Sequence, residues 1–451
     1  MVIGSMDEIT SLFDEADPFK SWWPAIAAAV VGIIIAVRAI MSGQRCPNDN
    51  QIRDQIVIVT GANTGIGFEI AKALAGRGGH VILACRNMEA AEKAAAIIKR
   101  ELSCQVLKDT QKTAATNDST KDLPTSSSSS SSSSVNNDTG ATNGNGNDAD
   151  TDGGNMFFVE ARYLDLRSFD NVQRFARKIM AEFERIDILI NNAGIIFDPV
   201  KTNTTDGFEQ HLQVNYMAPF LLSHLLLPHL KKSPNGRIIN VSAHSHVSAK
   251  MDFDDPLNVG TWATKFHARD AFSHSKLAVL LATRWMAKEL KDTSITVNCC
   301  TPGLVRGTSH LRSSPLMSAF CVRVMTYPWM WMFMKNPSQG AQSAIRLATD
   351  PKLKHVTGEY FNDCEIAVSS PLGQDKELAK KLYQQTMRIL KIATKLEIDK
   401  GEEKENEIRI ASAEESKAAT AATSATPTPP PPSSSSASST SADTSNIQQR
   451  W

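Results

Sequence analysis

The feature that most constrains the fold is a series of short, almost entirely apolar segments separated by longer segments with helical character. The apolar segments are QIVIVTGA, HVILACR, MFFVEARYLDL, IDILINNAG, GRIINVSA and SITVNCCTPG. Strands that are apolar along their whole length are buried on both faces, which is typical of a parallel sheet. Between them, segments such as DNVQRFARKIMAEFE place apolar residues at helical spacing. This alternation predicts an α/β fold in which helices cover both faces of a doubly wound parallel sheet.

Two other segments lack the apolar residues that a folded core needs. Residues 103–155 include SSSSSSSSSVNNDTGATNGNGNDADTDGG, and residues 400–451 include TPTPPPPSSSSASSTSADTS. Such compositions cannot bury enough apolar surface to offset the conformational entropy that folding removes. We therefore predict one folded domain over 46–398, with a disordered insertion at 103–155 and a disordered tail at 400–451. Either segment is a tolerated surface insertion, or it binds a partner or is phosphorylated.

Near the N-terminus, one run of residues has the composition of a membrane span. The run SWWPAIAAAVVGIIIAV carries no charge, and AIM extends it beyond Arg38. Acidic residues dominate before the run and basic residues follow it, and basic residues remain on the cytoplasmic side. A cleaved signal peptide would need its basic residues before the apolar run. We therefore expect a retained transmembrane helix at 21–41, with the following chain in the cytosol; an interfacial or signal segment is the alternative.

The bulk composition narrows the classes of partner. The chain has 451 residues, with 48 basic and 48 acidic side chains, so no net charge favours binding to nucleic acid. Its seven cysteines form no Cys-x-x-Cys pair. This pattern argues against a disulfide framework and against a zinc site, so we expect no bound metal.

A glycine-rich turn follows the first strand and predicts a nucleotide cofactor. The sequence TGANTGIG places Gly61, Gly65 and Gly67 between a strand and a helix. Glycines there permit a tight turn, close approach of a pyrophosphate, and packing of the helix, whose N-terminus favours phosphate. NAD-binding folds commonly have an acid near the end of the second strand, but this chain has Cys85 and Arg86. A guanidinium suits the 2′-phosphate of NADP(H), unless Arg86 is simply a solvated surface cation.

Several motifs in order resemble the short-chain dehydrogenase/reductase family, and in particular its retinol dehydrogenase-like branch. They are TGANTGIG, YLDL, NNAG, VNY, NVSA, FSHSK and TPG. The resemblance implies a single Rossmann-type domain, a nicotinamide cofactor, and a lipophilic alcohol or carbonyl substrate. It also implies anchoring in the endoplasmic reticulum membrane, although the residues leave the lipid droplet and the mitochondrial outer membrane open. The residues that it assigns to the cofactor are Thr60, Gly61, Asn63, Thr64, Gly65, Ile66, Gly67, Arg86, Asp165, Asn192, Ala193, Gly194, Lys276, Pro302 and Gly303.

The catalytic positions implied by the resemblance are only partly retained. The family uses Ser, Tyr and Lys, with an Asn that holds a water; the tyrosine transfers the proton, and the lysine lowers its pKa. Lys276 and Asn215 are present, but the tyrosine position holds Phe272 and the serine position holds Ala243. A phenyl ring and a methyl group cannot transfer a proton.

Other groups could replace the missing ones. The five tyrosines, at 163, 216, 327, 360 and 383, all lie far from Lys276 in sequence. His244, Ser245 and His246 follow Ala243, and a histidine can move protons near neutral pH. Two functions therefore remain open: a membrane-anchored NADP(H)-dependent oxidoreductase, and a catalytically silent NADP(H)-binding protein with a sensing or scaffolding role.

Two further expectations follow from the same resemblance. The apolar run PLMSAFCVRVMTYPWMWMFM, at 315–334, occupies the place of the substrate lid and suits a lipophilic ligand that approaches from the membrane. Its charge at Arg323 and its Pro328 argue against a second membrane span. A homodimer that buries the 273–291 helix is a further prediction from the family.

Overall fold

An eight-stranded sheet runs through the middle of the computed structural model, which describes residues 23–118, 157–197, 200–257, 266–306 and 320–392. The spatial order of the strands is β3-β2-β1-β4-β5-β6-β7-β8. Every neighbouring pair is parallel except β7 and β8. The strands are β1 (Ile56–Thr60), β2 (His80–Cys85), β3 (Val159–Tyr163), β4 (Ile188–Asn191), β5 (Arg237–Val241), β6 (Thr296–Thr301), β7 (Tyr360–Asn362) and β8 (Glu365–Ile366).

Helices connect these strands. They are α1 (Trp23–Met41), α2 (Gly65–Gly76), α3 (Met88–Asp118), α4 (Phe169–Glu182), α5 (Ala218–Leu230), α6 (Ala268–Glu289), α7 (Phe320–Phe333), α8 (Pro337–Thr349), α9 (Pro371–Gln374) and α10 (Lys376–Ile389). Side-chain caps stabilise the first turn of some of these helices: Ser168 caps α4, and Asn336 with Gln339 forms a capping box on α8. The predicted α/β class and the six predicted strands are confirmed; the β7–β8 pair was not predicted.

Two apolar cores lie on opposite faces of the sheet, because successive residues of a strand point in opposite directions. On one face, Ile58 and Leu189 belong to a core shared with α4, α5, α6 and α10. On the other face, Val57, Val59 and Ile190 belong to a core shared with α2, α3 and α8. The apolar strands therefore pack on both faces, which explains why they show no alternation of apolar and polar residues.

The helix after β2 is longer than the sequence indicates. We expected the disordered insertion to begin at residue 103, but α3 continues to Asp118. Residues such as Glu101, Gln105 and Lys108 favour helix as strongly as the preceding turns do, so composition alone misplaced this boundary. The rest of the insertion, the tail from 400 and part of the predicted lid lie outside the described residues.

Helix α6 is covered by its own chain. Every residue from Ala271 to Thr283 is buried, and α10 packs along the helix. Family resemblance led us to expect this helix at a homodimer interface. The buried part of α6 is thus covered by α10, and the homodimer stays a prediction.

Within the described part of the chain, one helix is long and apolar enough to span a membrane. The stretch Pro24–Met41 covers 18 residues, and none of it is buried inside the protein. A helix rises about 1.5 Å per residue, so this stretch spans roughly 27 Å, close to the thickness of a hydrocarbon core. Its length and composition agree with the span predicted at 21–41.

Candidate active site

A cavity of about 460 Å³ lies at the carboxyl ends of the strands. Its walls come from the segments that follow β1, β2, β3, β4, β5 and β6, and from α6. The strand order reverses direction between β1 and β4, and such a switch point leaves a crevice where doubly wound folds bind ligands. The volume is within the range of small-molecule sites. This cavity is therefore the principal candidate site of the described residues.

The glycine-rich turn forms one wall and has the backbone geometry that only glycine adopts easily. Gly61 and Gly65 have φ angles of +66° and +63°. A Cβ on Gly67 would lie 2.5 Å from the side-chain nitrogen of Asn192 and from the carbonyl oxygen of Gly61. Thr64 precedes α2 in an extended conformation, and its side chain makes no capping hydrogen bond. The amide groups at the start of α2 therefore face the cavity without a side-chain cap, an arrangement that suits a phosphate.

The segment after β4 is fastened to this turn through Thr60. The Thr60 hydroxyl accepts hydrogen bonds from the amides of Asn192 (3.0 Å) and Ala193 (2.9 Å). The Asn192 side chain donates in return to the Thr60 carbonyl oxygen (2.9 Å). Thr60 is buried and does not line the cavity, in contrast to Asn192, Ala193 and Gly194. The role of Thr60 is to position the loop rather than to touch a ligand.

The end of β2 supplies no carboxylate to the cavity. Burial raises the pKa of the Cys85 thiol to about 11, although amides of the glycine-rich turn act in the opposite direction. Cys85 is therefore a neutral wall residue at physiological pH. Arg86 is exposed and lines the cavity beside it, and Asp165 and Arg167 line the cavity beyond β3. The only described cation at the end of β2 is thus the guanidinium of Arg86.

Lys276 lies on the opposite side of the cavity, buried on α6. Its ammonium group donates to the carbonyl oxygen of Val241 at 2.9 Å. Desolvation lowers its pKa to about 8, and the neighbouring Cys299 acts weakly in the opposite direction. Because the ordinary pKa of lysine is 10.5, a larger fraction of Lys276 is neutral near pH 7 than of an exposed lysine.

Asn215 reaches the same region from a single π-helical turn, Gln213–Met217, before α5. Its side chain accepts from the amide of Ile195 (2.8 Å) and donates to the Ile195 carbonyl oxygen (3.0 Å) and the Ser275 hydroxyl (3.0 Å). Asn215 therefore holds the loop after β4 against α6, and it does not itself line the large cavity. A Cβ on Gly194 would lie 3.0 Å from the Asn215 oxygen and 3.4 Å from the Lys276 nitrogen, so glycine permits this close packing.

Phe272 lines the cavity one helical turn before Lys276. Its ring centroid lies 5.9 Å from the Lys276 nitrogen, and it meets Phe197 edge-to-face at 5.1 Å. Phe197 has a φ of +47°, an unusual conformation for a bulky side chain, of the kind that concentrates at functional sites. The two rings make an apolar wall where the family has its tyrosine.

Ser242 and Ala243 both line the cavity, but the one hydroxyl of the pair is hydrogen-bonded to the backbone. Ser242 is buried, and its hydroxyl donates to the backbone oxygen of Lys276 at 2.8 Å. Ala243 lines the cavity with a methyl group. The geometry thus agrees with the alignment that puts Ala243 at the serine position.

The histidines proposed as replacements do not line the cavity. His246 is buried; its Nε2 accepts from the amide of Ser370 (3.3 Å), and its Nδ1 therefore donates to the carbonyl oxygen of Ala243 (2.8 Å). Both ring nitrogens are used, and burial lowers the pKa of His246, so the ring stays neutral. His244 is exposed, and Ser245 likewise lies outside the cavity wall. Among the described residues around the cavity there is no tyrosine and no histidine.

The structure brings most of the predicted site together. Sixteen of the predicted residues line the cavity, namely Gly61, Asn63, Thr64, Gly65, Ile66, Gly67, Arg86, Asp165, Asn192, Ala193, Gly194, Ala243, Phe272, Lys276, Pro302 and Gly303. Thr60 and Asn215 support this wall from behind. Sequence reasoning missed wall residues such as Asn87, Arg167, Val214 and Val305. Their only signal was a position next to a motif, which does not reveal the direction of a side chain.

The chain is similar to a family model, to known proteins and to a solved structure. A family model described as short chain dehydrogenase matches residues 55–124 and 147–252. Retinol dehydrogenase 13 of Homo sapiens is 35% identical over 362 residues, which cover 80% of this chain and 92% of that protein. Retinol dehydrogenase 11 of Homo sapiens is 33% identical over 359 residues, covering 78% and 91%. A solved structure of an uncharacterized protein from Mycobacterium Paratuberculosis has a TM-score of 0.52 and 23% identity, covering 77% of this chain and 98% of that chain; this similarity concerns the fold alone.

Proposed function

The chain belongs to the short-chain dehydrogenase/reductase family, and on that premise we propose that it is a membrane-anchored protein that binds NADP(H) and a lipophilic alcohol or carbonyl compound but transfers hydride slowly or not at all. Two parts of this proposal need separate support: the cofactor site, whose wall is intact, and the proton-transfer site, whose two acting side chains are replaced. The single observation on which it rests is that Phe272 and Ala243 line the cavity beside Lys276.

The residues of the glycine-rich turn fit a dinucleotide. Glycine lets the turn pack closely against the segment after β4, because a Cβ on Gly61 would lie 2.9 Å from Ala193 and one on Gly67 would lie 2.5 Å from Asn192. The uncapped start of α2 lies beside the same cavity. Arg86 supports NADP(H) over NAD(H), because a guanidinium pairs with a phosphate and no carboxylate at the end of β2 would hold the 2′-hydroxyl. When bound, this cofactor supplies or accepts the hydride. Lys276 and Asn192 line the same cavity.

Reduction of a carbonyl also needs a proton donor at its oxygen. Phe272 has the ring of the family's tyrosine without its hydroxyl, and Ala243 lacks the hydroxyl that would bind the carbonyl oxygen. General acid–base groups typically contribute about 10²–10⁴-fold in rate. Activity far below that of a complete family member is therefore expected, while binding of cofactor and ligand is retained.

One observation favours a second function, that of an active NADP(H)-dependent oxidoreductase. Burial lowers the pKa of Lys276 to about 8, so its ammonium group is a better proton donor than an exposed lysine. In this case Lys276 would protonate the carbonyl oxygen directly, and its neutral amine would recover a proton from solvent. Its hydrogen bond to the Val241 carbonyl uses only one of its three protons.

The proposed ligand class rests on three features. The wall formed by Phe272 and Phe197 is apolar, the relatives that match are named retinol dehydrogenases, and α1 has the length and composition of a membrane span. We propose that the domain lies on the cytosolic side, because basic residues follow the span. The endoplasmic reticulum membrane is proposed from the family resemblance alone. The domain boundaries predicted from the sequence, 46–398 with an insertion at 103–155 and a tail at 400–451, belong to the same proposal.

The experiment that tests this function measures binding and turnover on the same sample. The full chain, reconstituted in lipid nanodiscs, is titrated with NADPH and with NADH, and then mixed with retinal while NADPH absorbance is followed. We expect NADPH to bind more tightly than NADH, retinal to bind, and NADPH consumption to be negligible over the time of the experiment. Turnover at rates typical of enzymes, about 1–10³ s⁻¹, would overturn the proposal.

A further inference from the structure

The exposed aromatic surface of α7 is not explained by the cavity. Tyr327, Trp329, Trp331 and Phe333 all have exposed side chains, and Trp329, at 62% exposure, stacks parallel on Phe333. Isolated exposed apolar residues are ordinary, but four large aromatics within seven residues form a patch that usually contacts something. The described part of the helix has 14 residues, fewer than the roughly 20 that a membrane span needs.

This patch continues into the surface of α1, because Arg38 joins the two helices. Its guanidinium donates to the carbonyl oxygen of Met334 (3.0 Å) and to the side chain of Gln339 (3.2 Å). The same guanidinium lies 5.5 Å from the ring centroid of Trp331. The apolar residues of α1 are themselves exposed, so the two helices present one apolar surface.

The position of Arg38 along α1 sets the depth of the aromatic patch. Arg38 lies in the last turn of α1, at the end of the apolar stretch that leads into the domain. A charged side chain at that position lies at the boundary between hydrocarbon and water. Since Trp331 contacts Arg38, the aromatic patch is at the same level, where tryptophan and tyrosine are enriched in membrane proteins.

The connection from α1 to the domain is short and fixed. The backbone of Gly43 has a φ of +68°, and a Cβ there would lie 2.6 Å from both the Lys335 nitrogen and an oxygen of Asp363. Lys335 and Asp363 form an ion pair, and the amide of Cys46 donates to the side chain of Gln342 at 2.9 Å. The domain therefore cannot rotate freely about its anchor.

The same residues reach the wall of the cavity. The amide of Lys335 donates a hydrogen bond to the carbonyl oxygen of Leu304 (2.8 Å), and the carbonyl oxygen of Lys335 accepts one from the amide of Arg306 (2.9 Å). Val305, between these two residues, lines the cavity. A surface held at the membrane by α1 and α7 is thus one residue away from the interior of the candidate site.

We propose that α7 lies in the interface of the bilayer that α1 spans, so that the chain contacts lipid at two places and the 302–306 wall of the cavity faces the membrane. The partner is a phospholipid bilayer, recognised by aromatic side chains at headgroup depth beside the Arg38 cation. This inference deepens the proposed function and rests on its membrane anchor. It explains how a lipophilic ligand reaches the cavity without crossing water.

Photolabelling from within the lipid tests this. The full chain is reconstituted in nanodiscs that contain a phospholipid with a diazirine either near the headgroup or at the end of an acyl chain, and adducts are mapped by mass spectrometry. We expect both probes to label Pro24–Met41 and the shallow probe alone to label Tyr327–Phe333. Phe158 serves as the internal control, because it is 58% exposed but lies next to β3 at the opposite edge of the sheet.

The outcomes separate the inference from its premise. Labelling of Pro24–Met41 without labelling of Tyr327–Phe333 overturns the inference and leaves the anchor in place. A chain that is labelled nowhere, or is not retained in the nanodisc, overturns both. Equal labelling of Phe158 shows non-specific adsorption and also overturns the inference.

A variant tests the link between the two helices. Arg38→Ala removes the contacts to Met334, Gln339 and Trp331, so we expect a several-fold fall in labelling of Tyr327–Phe333 relative to Pro24–Met41. The matched control is Arg45→Ala, which removes an exposed arginine from the linker. NADPH binding by both variants verifies that the domain is folded. Equal labelling of Arg38→Ala and Arg45→Ala would contradict the role of Arg38.

Discussion

At the scale of single residues, the cavity retains the family's residues at the cofactor wall but has other residues at two catalytic positions. The glycine-rich turn, Asn192 and Lys276 line the wall that is proposed to hold a dinucleotide, whereas Phe272 and Ala243 have no hydroxyl where the family has one. The sequence identified both halves, because motifs fix residue types and positions along the chain. It could not show that Ser242 turns its hydroxyl to the backbone of α6, or that His246 uses both ring nitrogens. Those facts depend on contacts between segments far apart in sequence.

The choice of cofactor depends on Arg86. We expect Arg86→Ala to weaken NADPH binding by about tenfold to a hundredfold, since hydrogen bonds to charged groups contribute about 1.5–3 kcal/mol. NADH binding should hardly change, because NADH has no 2′-phosphate. Titration of both cofactors against wild type measures the effect, and Arg100→Ala, an exposed arginine on α3, controls for net charge. Equal weakening for NADPH and NADH would show that Arg86 is not at the 2′-phosphate.

The lowered pKa of Lys276 predicts how stability depends on pH. Between its pKa in the folded chain, about 8, and its ordinary value of 10.5, the unfolded chain binds a proton that the folded chain does not. Stability therefore rises with pH across this window, and the cost of the buried charge is full and constant below it. We expect the difference in thermal midpoint between Lys276→Met and wild type to shrink as pH rises from about 8 to about 10. A difference that stays constant would mean that Lys276 titrates at its ordinary pKa.

At the scale of elements, the central helix α6 determines both the site and the surface of the molecule. It brings Phe272 and Lys276 to the cavity on one face while α10 covers another face. The periodicity of the sequence predicted most helices and strands to within a few residues, because burial on one face imposes a repeat. It could not predict which helix covers α6, since either a second copy or the chain's own C-terminal helix would impose the same apolar pattern. The extension of α3 to Asp118 was missed for the opposite reason, because polar helix formers leave no apolar repeat.

The packing of α10 against α6 gives a prediction for stability. Leu382 is fully buried in the core that α10 shares with α6, whereas Lys380 on the same helix is exposed. We expect Leu382→Ala to lower the free energy of unfolding by about 2–5 kcal/mol, as is usual for a buried leucine. Lys380→Ala should change it by less than about 0.5 kcal/mol. Denaturant unfolding in detergent measures both, and similar small losses would show that α10 does not cover α6 in solution.

At the scale of the whole molecule, the proposed function separates binding from chemistry on a family scaffold. The fold and the candidate membrane span agree with a retinol dehydrogenase-like protein, and the sequence alone predicted both. The proposed arrangement at the bilayer was only partly predictable, because the contacts of Arg38 with Met334 and Gln339 join residues about 300 positions apart. An apolar run in a sequence indicates an apolar surface, but it does not indicate which other segments of the chain pack beside that surface.

The central claim is that the cavity is complete for binding and incomplete for proton transfer. The most direct measurement follows NADPH oxidation by retinal under single-turnover conditions, with the full-length wild type beside the double variant Phe272→Tyr, Ala243→Ser. We predict that the variant oxidises NADPH at least about 10²-fold faster than wild type, because it regains a general acid and an oxygen-binding hydroxyl. Equal NADPH affinity of the two proteins would verify that the gain lies in the chemistry. A wild type that turns over as fast as the double variant would contradict the claim and would indicate that Lys276 supplies the proton.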